Sequence, residues 1–246
     1  MKALFISEWK IILHNRAFWI TLLSYTALCI ATPFMVGTYW LHEGWGWQEF
    51  FFELYDSGLW MIGAFFIGAF LMAREFSHRT VNHDIYAGYG RKKILLSRAI
   101  VFYSIVLLIV MILVMSTIIG TTTRIGWGTI SMSYTVSACL AGLLFDMGIS
   151  SVFFFFSYLF ENTGIALASG ALIAIILEQF TDNISRNSSG LVTYLPLIKA
   201  AFFRTEFSHG NVVPLNVLWM STSVSLIIFA AFNGISYLIF CKRDLR

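Results

Sequence analysis

AIVFYSIVLLIVMILVMSTIIGTTT, residues 99–123, contains no Asp, Glu, Lys or Arg. A helix crossing the hydrocarbon of a bilayer needs roughly 20 mainly apolar residues, and this run meets the requirement with room to spare. Working outward from it, runs free of those four residue types cover 17–42, 57–73, 162–177 and 207–241, and 125–160 is interrupted only by Asp146. Trimmed, they predict six transmembrane helices near 17–39, 57–74, 99–120, 133–159, 164–180 and 216–240. Of the 246 residues, 58% are hydrophobic and 12% charged, against about 45–50% and about 25% in a soluble domain. A globule of this size could not hide that surplus from water, so lipid is the solvent for much of the surface. The expected fold is therefore all-α: a single transmembrane domain over 1–246. The first apolar run is too long for a signal-peptide core and lacks a small-x-small cleavage site after it, so it is expected to remain as a helix.

Lys and Arg orient the spans. With the N-terminus inside, the cytoplasmic pieces hold Lys2, Lys10, Arg16, Arg74, Arg79, Arg91, Lys92, Lys93, Arg98, Lys242, Arg243 and Arg246, which is 12 of the 16 basic residues. The outer loops keep Arg124, Arg186, Lys199 and Arg204. An N-in, C-in arrangement follows. The net charge of +3 is too small to suggest nucleic acid. Cys29, Cys139 and Cys241 are odd in number and lie in or beside apolar runs, which makes them packing residues rather than a disulfide framework.

Residues 2–16, KALFISEWKIILHNR, precede the first span. At helical spacing Phe5, Ile6, Trp9, Ile12 and Leu13 share one face while Ser7, Lys10 and His14 fall on the other, which suits a helix lying in the membrane interface. The one sizeable cytoplasmic loop is REFSHRTVNHDIYAGYGRKKILLSR, residues 74–98. Ser77 could cap a short helix through Tyr86, with Gly88 and Gly90 breaking it before Arg91-Lys92-Lys93 leads into the third span. Positive-inside bias accounts for the basic cluster. It does not account for Thr80-Val81-Asn82-His83-Asp84, which is polar but not basic.

Within this loop Glu75, Thr80, Asn82, Gly88 (or Gly90) and Arg91 resemble a pattern of ABC-2 type permeases, roughly E-x-x-x-G-T-x-x-N-x-x-x-x-G-x-x-R, although Arg79 stands where many members carry Gly. The ending Phe240-Cys241-Lys242-Arg243-Asp244-Leu245 and the N-terminal interfacial helix resemble that family too. The resemblance implies that 74–98 includes a coupling helix docking on a separate ABC ATPase, with Glu75, Thr80, Asn82, His83, Asp84, Tyr86 and Arg91 as the coupling residues. It also implies a second permease chain, most simply in a homodimer, a bacterial plasma membrane, and export of amphipathic or hydrophobic peptides as in the antimicrobial-peptide and lantibiotic-immunity branch. ATP and Mg would be bound by the partner. This chain has no G-x-x-x-x-G-K-[ST] run and is expected to be non-catalytic and to bind no cofactor.

Asp146 sits in the middle of the fourth expected span. A charge at that depth costs about 2.5–3.5 kcal/mol on insertion scales, so it should face the bundle, a partner or water: a translocation path, a helix or dimer seam, or a hydrogen bond between helices. The aromatics Trp40, Trp45, Trp47, Phe50, Phe51, Phe52 and Tyr55 fall in an outer loop without Lys or Arg and suit an interfacial belt or an outer vestibule. A secondary transporter or channel is the alternative, but it would want several intramembrane ionisable groups. An intramembrane metalloenzyme would want His in the spans. All five histidines, His14, His42, His78, His83 and His209, fall outside them, and no metal site is expected.

Overall fold

The computed structural model describes residues 2–35, 46–48, 84–128, 130–160, 164–165, 168–169, 172 and 215–242. Among these, every regular element is helical. Five helices organise them: α1 (Lys2–Leu13), α2 (Arg16–Met35), α3 (Arg91–Ile125), α4 (Met132–Leu159) and α5 (Leu215–Lys242). Three are long and apolar enough to cross a membrane, over Arg91–Ile119, Met132–Leu159 and Thr222–Lys242, and α2 adds a shorter apolar stretch, Phe18–Ala31. The expected span 57–74 and most of 164–180 lie outside the described residues, as do Glu75, Thr80, Asn82 and His83. In lipid the helix is the one open-chain element that satisfies its own backbone polar groups, so apolar runs of this length have little alternative.

The ends of α4 and α5 fall within two residues of the expected spans. Those of α3 do not. It starts eight residues earlier than the apolar run and continues to Ile125. Charge marks the edge of the hydrocarbon, but Arg and Lys are good helix formers and do not stop a helix. Glycine does: α3 is preceded by Gly90 in an extended conformation and followed by Gly126 at φ +80°. Its 35 residues rise about 52 Å, well beyond a hydrocarbon layer of about 30 Å, so the helix is longer than one crossing needs.

α4 packs most extensively on α5, and the contact is lined by small residues. A Cβ on Gly148 would sit 2.8 Å from the Ser225 carbonyl oxygen and 2.9 Å from the Ser225 Cβ, so the two backbones approach as closely as glycine allows. Ser151 and Ser157 are buried on α4, as are Thr222, Ser225 and Ser236 on α5. Three of these hydroxyls donate back to their own helix: Ser151 to Gly148 O (2.6 Å), Ser157 to Phe154 O (2.6 Å) and Ser236 to Phe232 O (2.7 Å). They are thereby buried without needing a partner across the interface. Aromatic rings then join three helices: Phe102 and Tyr103 of α3 meet Phe154 of α4 at 5.3 and 5.9 Å, and Tyr103 meets Phe229 of α5 at 5.0 Å. Asn233 Nδ2 donates to the Tyr103 hydroxyl at 2.7 Å and to Phe229 O at 2.8 Å, adding a polar tie between α3 and α5.

Two expectations about faces change. On α1 the buried stripe is Leu4, Glu8 and Ile12, while Ile6 and Leu13 are exposed; Phe5 and Trp9 pack partly buried beside it. The expected apolar face is rotated because a carboxylate, not an alkyl group, is held at its centre. Trp47 is neither a belt residue nor a vestibule residue, since it is buried against the α3–α4 turn. Its backbone N–H donates to Gly126 O (2.9 Å) and its indole N–H to Thr117 Oγ1 (3.3 Å). Gln48 follows suit, its side-chain amide donating to Thr135 Oγ1 at 2.9 Å. Here the backbones run so close that a Cβ at Gly46 would overlap Gly128.

The close approach at Gly148 predicts that Gly148→Ala lowers stability by about 1–3 kcal/mol, the range for overpacking a filled interface. Gly234, also on α5 but with nothing within 4 Å of an added Cβ, should tolerate Ala or gain up to about 1 kcal/mol from helix propensity. Thermal melts of the two variants in one detergent would separate these outcomes, and equal melting temperatures would contradict the tight α4–α5 contact.

Candidate functional site

Residues 84–90 form a short shaped element against the start of α3. Asp84, Ile85 and Tyr86 make one helical turn. It is closed by Gly88 N–H donating to Ile85 O (2.9 Å) and Tyr89 N–H donating to Asp84 O (3.1 Å), with Gly88 at φ +86°. This is the paired hydrogen-bond pattern of a Schellman ending, which calls for a left-handed residue at the first position past the helix. Glycine takes that conformation without a Cβ clash. Ile85 and Tyr89 pack partly buried on the core. Gly90 O then accepts from Lys93 N–H (2.8 Å) and Ile94 N–H (3.2 Å) to start α3. Two glycines thus turn the chain from one helix into the next within four residues.

Arg98, two turns into α3, is the centre of this region. Its side chain is 1% exposed. Its Nε donates to Glu8 Oε1 on α1 at 3.3 Å, where the Glu8 side chain is 3% exposed, and its Nη2 donates to Asp84 Oδ2 at 3.2 Å, where Asp84 is 25% exposed. One guanidinium therefore ties together α1, the 84–90 turn and α3, elements separated by 90 and 14 residues in sequence. Removing one partner from a buried ion pair leaves an uncompensated charge and typically costs about 3–5 kcal/mol. The Glu8 arm falls in that class, whereas the Asp84 arm, partly reached by solvent, is weaker.

Arg91, at the first position of α3, reaches the far end of the chain. Its Nη1 donates to Cys241 O at 2.6 Å and lies 3.5 Å from Phe240 O. Both carbonyls belong to the last turn of α5, where main-chain acceptors lack intrahelical donors and the helix dipole is negative. A cation from α3 therefore caps α5.

Of the expected coupling residues, the structure describes Asp84, Tyr86 and Arg91. It draws Asp84 and Arg91 inward as ties between elements and leaves Tyr86 outward, 85% exposed. Lys92 and Lys93 are also exposed. Glu8 and Arg98 were legible only as a lone acid in a basic N-terminal segment and one more inside-facing cation. The signal available was the spacing of Glu8, four residues from both Leu4 and Ile12 on what proves to be the inner stripe.

Asp146 is 1% exposed in the interior of α4. It lies near Tyr25 of α2 and, a turn or two along α4, near Cys139. Cys29 of α2 in turn sits beside Tyr25 and Ser116 of α3. That burial is provided by the chain's own residues. Among the described residues no group of three or more His, Cys, Asp or Glu could hold a metal ion, and all three cysteines are free thiols.

Arg91→Ala should leave the bundle assembled but free the last turn of α5. The loss is set at about 1–3 kcal/mol by a charged hydrogen bond at a partly buried site, so amide exchange over residues 238–242 should accelerate roughly tenfold or more. Unchanged exchange there would show that Arg91 is not the cap.

No curated protein matches the chain. A family profile does match, over residues 22–246, taking in the ties at Arg98, Asp84 and Arg91 while starting beyond Glu8. The chain belongs to the family described as Protein of unknown function (DUF2705).

Proposed function

We propose that the chain is the membrane subunit of an ABC-2 type ATP-driven exporter, with six spans, N-in and C-in, paired with a second permease chain and a cytoplasmic ATPase in a bacterial plasma membrane. The observation that carries this reading is the mechanical continuity of the 84–98 segment. Through Arg98 it holds α1, through Arg91 it holds the end of α5, and through the α3 backbone it enters the bundle. Force applied to the turn at 84–90 would therefore reach three helices without an intervening loop. An ATPase docked there could bias the bundle between two states, provided it binds them with different affinities. Tyr86, outward on a turn whose base is tied down, is suited to be the aromatic anchor of such a docking.

Few buried charges are offered to an ionic solute. Among the described residues the buried charge-bearing side chains are Glu8, Arg98 and Asp146, and the first two are paired with each other. An amphipathic or hydrophobic peptide is the cargo this interior suits best. Asp146 is the observation that favours the second reading, a secondary transporter, because a buried carboxylate at mid-span can carry a coupling ion. Transport that persists without an ATPase and collapses with the proton gradient would select it.

Two measurements test the proposal. A cysteine at Lys92 should be shielded from impermeant maleimide in intact cells while one at Trp127, an exposed position in the α3–α4 turn, should label; the reverse would place the coupling turn on the wrong side of the membrane. In proteoliposomes with the partner ATPase, Tyr86→Ala should reduce co-purification and substrate-stimulated ATP hydrolysis by about tenfold or more, the scale of losing an aromatic anchor. Full stimulation in that variant would move the docking surface elsewhere.

A further inference from the structure

We infer that Arg98 is a positioning residue that sets the direction in which the 84–90 turn presents Tyr86, by dividing one guanidinium between Glu8 and Asp84. The assignment of roles follows from geometry. Arg98 uses Nε for Glu8 and Nη2 for Asp84, two donors on different edges of a rigid plane. Glu8 is fixed on α1 between Leu4 and Ile12, all three buried, so the plane has one firmly held edge. The other edge then dictates where the Asp84 carboxylate lies.

Asp84, Ile85 and Tyr86 are helical, and the backbone hydrogen bonds at Gly88 and Tyr89 close the helix, so residues 84–89 behave as one small body. Fixing Asp84 at one end fixes its rotation. Residues two apart on a helix are about 200° apart around its axis, which sends Tyr86 away from Arg98 and accounts for its 85% exposure. α1 therefore helps to aim Tyr86, although the two are far apart in sequence and are joined through the arginine. A lysine at 98 would carry the charge but not the two-edged fork, and it should hold one carboxylate at a time. The aiming itself is a property of this chain alone; its consequence for docking an ATPase rests on the function proposed above.

Spin labels test this directly. In a background without Cys29, Cys139 and Cys241, cysteines replace Lys10, exposed on α1, and Tyr86, and the distance distribution between the labels is measured by pulsed electron resonance in detergent. Asp84→Asn should shift or broaden the distribution by roughly a helical pitch, about 5 Å, with a melting temperature lowered by less than about 4 °C, since this arm is partly solvated. Arg98→Lys should give two populations or one broadened to a similar degree. Glu8→Gln should shift the distribution as well and lower the melting temperature more than Asp84→Asn does, because it strands a buried charge. Should Arg98→Lys or Glu8→Gln fail to fold, Asp84→Asn still decides the matter: a distribution superimposable on the parent's overturns the positioning role. No ATPase is present in this measurement. A shifted distribution in a chain that never stimulates an ATPase therefore upholds Arg98 as the positioning residue and overturns the exporter reading alone.

Discussion

A cation in a folded protein is stable only if it reaches water or is met by anions. Arg98 does the second. Its burial obliges two carboxylates to come to it, one from α1 and one from the 84–90 turn. Those two demands decide the rest of the local structure. α1 presents Glu8 inward at the cost of leaving Ile6 and Leu13 exposed, and the chain ahead of α3 folds back on itself through two glycines. Each of these features is odd in isolation; an exposed pair of large aliphatics and a buried acid on a twelve-residue helix would count as poor design in water. In the interfacial placement proposed for α1 the aliphatics would have lipid to face, and the acid has its arginine.

The bundle below that node is held by a different set of forces. Lipid tails compete equally for apolar side chains, so helix association relies on close van der Waals packing and interhelical hydrogen bonds more than on hydrophobic burial. The α4–α5 contact shows the first, with Gly148 against Ser225 and a row of buried hydroxyls satisfied by their own helices. Asn233 and Tyr103 show the second. Phe102, Tyr103, Phe154 and Phe229 fill the space where three helices meet, rings being large enough to bridge helices that small residues have not drawn together. At the other end of α3, Trp47 and Gln48 pin a distant part of the chain to the α3–α4 turn.

These two regimes divide the molecule in a way that suits a transmitted motion. Close packing of small residues joins α4 to α5, whereas the node at the start of α3 is held by charge, and a displaced arginine in a buried site leaves an uncompensated ion. Arg91 extends the node to the end of α5, so that helix is gripped at one end from the start of α3. In the exporter proposed for this chain, that grip is the path by which movement at the cytoplasmic surface would enter the bundle.

The apolar runs alone made α3, α4 and α5 helices long and apolar enough to cross a membrane, since lipid leaves the backbone no other way to satisfy its hydrogen bonds along a single span, and the ends of α4 and α5 could be read to within two residues. Glycine at 88 and 90 could likewise be read as the break before α3, because a weak preference for the helix is a local property of the residue. Periodicity did not reveal which face of α1 is inward, nor that α3 begins at Arg91. Composition ranks alkyl groups above carboxylates for burial, and only the arrival of Arg98 from 90 residues away reverses that order at Glu8. For the same reason Asp84 and Arg91 read as surface charges beside Tyr86, when in the folded chain they are tied inward and Tyr86 alone of the three stands out. Whether a charge is a tie or a handle depends on what lies within about 3 Å of it in space, and that distance is set by tertiary packing, not by neighbours in the chain.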